Sequence, residues 1–133
     1  MADTPTTAND VKLSFRSHPL TKYAFPEGLE NQWLIDAIGV YENEISISLD
    51  YDNSLEVFGS KLHQSVIVTL GQLMYCSYLT RVLDRVQELN GYHGRDLSVT
   101  GSDASKHVIS ENLQRQIDIA NDYLNKHKST GFG

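Results

Sequence analysis

The chain is poor in several things at once. It has one cysteine, Cys76, in 133 residues. No disulfide can close within it, and one thiolate cannot build a metal site, so a reducing compartment fits best. Basic residues are scarce: 11 Lys and Arg stand against 17 Asp and Glu, a formal net charge of −6 at pH 7. Sequence-independent grip on nucleic acid comes from neutralising phosphates with Lys and Arg, so this balance argues against a protein that holds DNA or RNA. The longest apolar region, 66–83, is interrupted by Gln72, Thr80 and Arg81. It reads as a buried helix rather than a membrane span. The start, MADTPTTAND, lacks the basic end and apolar run of a signal peptide, so none is expected. His18, His63, His93, His107 and His127 include no pair at the i, i+3 or i, i+4 spacing of a helix-borne metal site. Neither a metal nor any other cofactor is expected.

What remains is ordinary for a globular domain: 40% hydrophobic and 21% charged residues in a length that makes one domain. Val11, Leu13 and Phe15 alternate with Lys12 and Ser14, the pattern of a short extended piece. With Pro19 and Pro26 punctuating the next stretch, 1–26 reads as an extended, partly flexible arm. Leu29, Trp33, Ala37, Val40 and Tyr41 recur at helical spacing and predict a helix over 27–43. The period then changes. Ile45, Ile47, Leu49 and Tyr51 alternate with polar residues, Asp52-Asn53-Ser54 is turn chemistry, and Leu55 and Val57 come next, which predicts a β-hairpin over 45–58.

The longest predicted helix runs over 62–89. Tyr75, Leu79, Val82, Val86 and Leu89 form its apolar seam, and the first half is apolar on more than one face. Such a segment must be covered nearly all round, in part by another subunit. Gly71 in its middle costs about 1 kcal/mol relative to Ala, a cost that a close helix crossing would justify. Ser102 and Asp103 read as the cap of a last helix over 103–127, with a seam of Val108, Ile109, Leu113, Ile117, Ala120 and Leu124. The expected fold is therefore mainly α: a small bundle of three main helices with a short β-hairpin insertion and flexible termini. The helical domain spans 27–127, and 128–133 is a flexible tail.

The stretch NGYHGRDLSVTGSDASK, 90–106, concentrates glycines and charges. It lacks the Gly-Lys-Ser/Thr ending of a phosphate cradle, and His93-Gly94-Arg95-Asp96 only faintly echoes a kinase catalytic loop. A bend between two helices accounts for its glycines. Carboxylate pairs such as Asp50/Asp52 and Asp84/Glu88 fall on turns or solvated faces, and Cys76 reads as a small buried hydrophobe. No catalytic residue is assigned, and no enzyme activity is expected.

The run LHQSVIVTLGQLMYCSYLTRVLDRVQELNGYHGRDLSVTGSDASK, continued by a helix and a Lys-rich tail ending in an aromatic, resembles the small neck proteins of tailed bacteriophages. These are the head–tail connector, adaptor or head-completion proteins of the virion. The resemblance covers 27–133 and rests on element order and texture. It implies a homo-oligomeric ring, often dodecameric, beneath the portal protein. Such a ring extends the channel for passing DNA without binding it specifically, contacts no membrane, and receives a downstream neck or tail-completion protein. The segment matching the portal-docking tail carries Lys126, His127, Lys128 and Phe132. The segments matching channel or inter-subunit loops carry Asp50, Asp52, Asn53, Tyr92, Arg95 and Asp96. The alternative expectations are another oligomeric phage or bacterial interaction module, a tail-completion or regulatory protein, or a small enzyme working through 90–106.

Overall fold

Among the described residues four α-helices succeed one another: α1 (Ala8–Arg16), α2 (Glu27–Ile45), α3 (Gln64–Tyr92) and α4 (Val99–Gly131). The computed structural model describes residues 4–18, 27–92 and 99–131, with side chains at 4–18, 28–84 and 107–128. Among the described residues there is no β-strand, so the expectation of three main helices with a hairpin insertion is corrected to a bundle of four helices.

The first correction is at α1, expected to be extended. Thr7 and Asp10 form a capping box: the Thr7 hydroxyl accepts from the Asp10 amide, and the Asp10 carboxylate accepts from the Thr7 amide. Reciprocal satisfaction of free amides starts a helix at this point. Ala8, Val11 and Phe15 then fall on one buried face at helical spacing, while Leu13, the third member of the apparent alternation, is 55% exposed.

The second correction is the hairpin. Residues 46–63 form an irregular connection whose only β pairing is two isolated bridges, Thr7 with Val57 and Asp52 with Val57. Ser46 and Asp50 take left-handed backbone angles, φ 62° and 51°, which interrupt any extended run between them. The Leu49 amide donates to the Glu42 carboxylate at 2.7 Å instead of to a neighbouring strand. Gly59 is needed there: a Cβ would stand 2.7 Å from that of Asp50.

Helix α3 is central and packs against the three other helices. Its stretch Gln64–Asp84 is long and apolar enough to cross a membrane, with mean hydropathy 1.3, yet 50% of it is buried inside the molecule. Leu70, Met74, Tyr75, Tyr78, Leu79 and Val82 are all buried. Thr69 and Gln72 are buried with them; the Thr69 hydroxyl donates to the Ser65 carbonyl and the Gln72 amide to Gln116 of α4. Phe15, Trp33 and Tyr78 meet edge-on at centroid distances of 5.9 to 6.1 Å, which joins α1, α2 and α3 in one core.

In α4 the expected seam holds except at its start: Ala120 and Leu124 are buried and Ile109 and Leu113 pack half-buried against the core, while Val108 is 63% exposed. The helix begins at Val99 and continues to Gly131, so the flexible C-terminal tail expected from residue 128 is helical for most of its length.

Candidate functional site

Among the described residues, three places bring polar chemistry together. The first lies inside the bundle. His18, just beyond α1, places Nδ1 3.0 Å from the Phe15 carbonyl oxygen and Nε2 3.0 Å from Gln72 Oε1. Gln72 Nε2 donates onward to the carbonyl oxygen and side chain of Gln116, at 3.0 and 2.8 Å. The His18 ring stacks on Tyr75 at 4.5 Å, and Tyr75 in turn hydrogen-bonds Asn112. Cys76 is next to this network, but burial pushes its thiol up to about 11. A nucleophilic cysteine needs the opposite shift. The group reads as a polar clamp tying α1, α3 and α4.

The second place is the far end of α4 against α2. The Tyr41 hydroxyl lies 2.8 Å from His127 Nδ1, and the Lys128 ammonium lies 2.9 Å from the Glu44 carboxylate. Burial raises the Tyr41 phenol and lowers the His127 imidazole, with the His63 charge adding to the latter. Lys126 reaches back to Asp122 at 3.5 Å on the exposed side. The three tail residues singled out from the sequence therefore occupy the last turns of a helix, two of them engaged with α2. Phe132, Arg95 and Asp96 lie outside the described residues, as does the side chain of Tyr92, the last residue of α3.

The third place is the 46–63 connection. Asp50 and Asp52 build it: the Asp50 carboxylate accepts from the Ser48 hydroxyl at 3.0 Å, and Asp52 Oδ1 accepts the amides of Ser54 and Leu55 at 2.9 and 3.2 Å. Asn53 is exposed on the resulting tip. On one side of the connection is an open groove floored by Gly39 and Ile38 of α2 and walled by Ile35, Glu42, Asp50 and Tyr51. On the other side, a wider groove of about 800 Å³ runs between residues 4–13 and the start of α3. Leu13, Lys61, Leu62, His63 and Ile67 line it.

Among the described residues no cluster of His, Cys, Asp or Glu could hold a metal ion. Sequence reasoning placed Asp50, Asp52 and Asn53 on one loop but missed both grooves, which are made by backbone turns that periodicity does not encode. It also missed the His18–Gln72–Gln116 clamp; a buried Gln in an apolar helix was its one visible sign. No protein family, no curated protein and no solved structure matches the chain.

Proposed function

We propose that the chain is a structural assembly subunit, a ring component of a phage neck beneath the portal, as the resemblance to head–tail connectors implies. The observation that carries this reading is the pair of open grooves, each lined by a large apolar side chain in solvent: Leu13 at 55% and Ile35 at 39% exposure. Scattered apolar side chains are normal on a surface, but apolar side chains on a groove wall favour contact with another chain. Covering what remains exposed of each is worth roughly 1 kcal/mol.

Charge supports the same reading. A ring of subunits carrying a net charge of −6 each repels the phosphate backbone, so DNA can slide through without sticking. The portal-facing element is the end of α4, where Lys126 stays 70% exposed while His127 and Lys128 brace the helix on α2. The downstream neck or tail-completion protein meets the opposite face of the ring.

The test is electron microscopy of virions carrying a tagged copy. Label at the head–tail joint is the expected result. Label at another position, or particles without label, overturns the neck reading.

A further inference from the structure

We infer that copies of this chain associate by inserting the Leu55 tip of one into the groove between α1 and α3 of the next. The inference rests on the assembly reading and deepens it by naming the contact between subunits.

The tip is a rigid knob. Asp52 and Val57 exchange backbone hydrogen bonds at 2.8 and 3.3 Å and close it at the base. Asp52 Oδ1 holds the Ser54 and Leu55 amides inside it. Glu56 takes a left-handed φ of 56°, and its carbonyl accepts from the Ala8 amide at the start of α1 at 2.8 Å, which fixes the knob to the bundle. A non-glycine residue held in this region is strained and tends to persist where function requires the shape. Leu55 crowns the knob at 70% exposure, the highest among the exposed large hydrophobics. Asp52 and Glu56 flank it, both exposed.

The groove offers a partner both to the leucine and to a carboxylate. Leu13, Leu62 and Ile67 provide an apolar lining in which Leu13 is the exposed member; Lys61 and His63 stand on its wall beside the amino-terminal end of α3, the positive end of a 29-residue helix, and Asp10 lines it too, its carboxylate accepting from the Thr7 amide in the capping box. Among the described residues Lys61 has no carboxylate within ion-pair distance. The groove is large enough for a leucine side chain, and its own chain does not fill it, because that chain's Leu55 points into solvent. An acidic, apolar-tipped knob carrying Glu56 and a groove carrying Lys61 and the exposed Leu13 match each other between two copies of the chain. The knob is already ordered, so docking it costs little conformational entropy. A contact between two different patches repeats from copy to copy and closes a ring where its rotation allows.

Light scattering on the purified full chain over a range of concentrations tests this, with wild type, Leu55→Asp, Lys61→Glu, and the exchange Glu56→Lys with Lys61→Glu. The wild type is expected to self-associate. Leu55→Asp and Lys61→Glu should each weaken association at least tenfold with unchanged helical circular dichroism and melting, since both side chains are exposed. The exchange should recover part of what Lys61→Glu loses. Oxidation of a mixture of Leu55→Cys and Leu13→Cys chains should give a mixed covalent dimer faster than either variant alone gives a homodimer. A wild type that stays monomeric at all concentrations, an undiminished Leu55→Asp, or no preference for the mixed disulfide overturns the contact. These outcomes are independent of where a label sits in virions, so the contact and the neck location can fail separately.

Discussion

Gly71 of α3 lies so close to Ser14 of α1 that a β-carbon at Gly71 would stand 2.7 Å from the Ser14 hydroxyl oxygen and 3.0 Å from the Phe15 amide nitrogen. The hydroxyl can rotate away, but the Phe15 nitrogen is backbone inside a helix and cannot. Gly71→Ala gains about 1 kcal/mol of helix propensity and loses about 1–3 kcal/mol to overpacking. The expected outcome is a net destabilisation of up to about 2 kcal/mol, seen as a lower urea midpoint at unchanged slope. A raised midpoint would show that the crossing can open without cost.

Gly39, in the middle of α2, makes the opposite case. Nothing lies within 4 Å of a β-carbon built there, and its backbone is not in the left-handed region. Gly39→Ala should therefore stabilise the folded chain by up to about 1 kcal/mol through helix propensity alone. Thermal melting checks it: the variant should melt a few degrees above wild type. A lower melting temperature would mean that the groove floor is packed in the free molecule.

These two glycines illustrate what the residues disclose by themselves. A glycine inside an apolar helix pointed to a crossing at Gly71, and α1 supplies it. The three long helices were legible because each carries many apolar residues at one period. The short elements were not. Val11, Leu13 and Phe15 fit an alternating pattern and a helical one equally well, and the deciding feature was the Thr7–Asp10 cap rather than the period. Residues 45–58 alternate convincingly, yet Ser46, Asp50 and Glu56 are left-handed without being glycine, which no pattern of polarity announces. Of the candidate contact residues, Asp50, Asp52 and Asn53 do share one loop, whereas the lysines and histidine near the C-terminus prolong a helix.

Arg16 and Glu30 form a further test of how α1 is held. Glu30 is buried, at 1% exposure, and the Arg16 guanidinium meets it through Nε at 2.9 Å and a terminal nitrogen at 2.5 Å. Removing one partner of such a pair strands a buried charge, typically at about 3–5 kcal/mol; half of the Arg16 side chain is in water, which places this pair at the lower end. Arg16→Ala is expected to cost about 3 kcal/mol. Arg16→Met with Glu30→Leu should cost less than Arg16→Ala alone, because no unpaired charge remains. Urea unfolding of both variants checks the order, and a double variant weaker than the single one contradicts it.

His127 gives the fold a pH dependence whose sign is set by its surroundings. Burial first, and the nearby His63 charge second, hold its pKa below the ordinary 6.5 in the folded chain. Its Nδ1 faces the Tyr41 hydroxyl, whose own pKa burial raises, so the phenol keeps its proton and donates it to a neutral imidazole. The unfolded chain thus binds a proton at His127 before the folded chain does, and stability rises with pH through that range. The contribution is complete above the ordinary value of 6.5 and is lost as pH falls toward and through the depressed folded value. Urea midpoints measured at about pH 7.5 and about pH 5.5, on either side of the ordinary histidine pKa, should drop for wild type and drop less for His127→Gln, which keeps a polar group beside Tyr41 but does not titrate. Equal drops in the two proteins would assign the acid sensitivity to other groups and leave the Tyr41–His127 bond without a part in it.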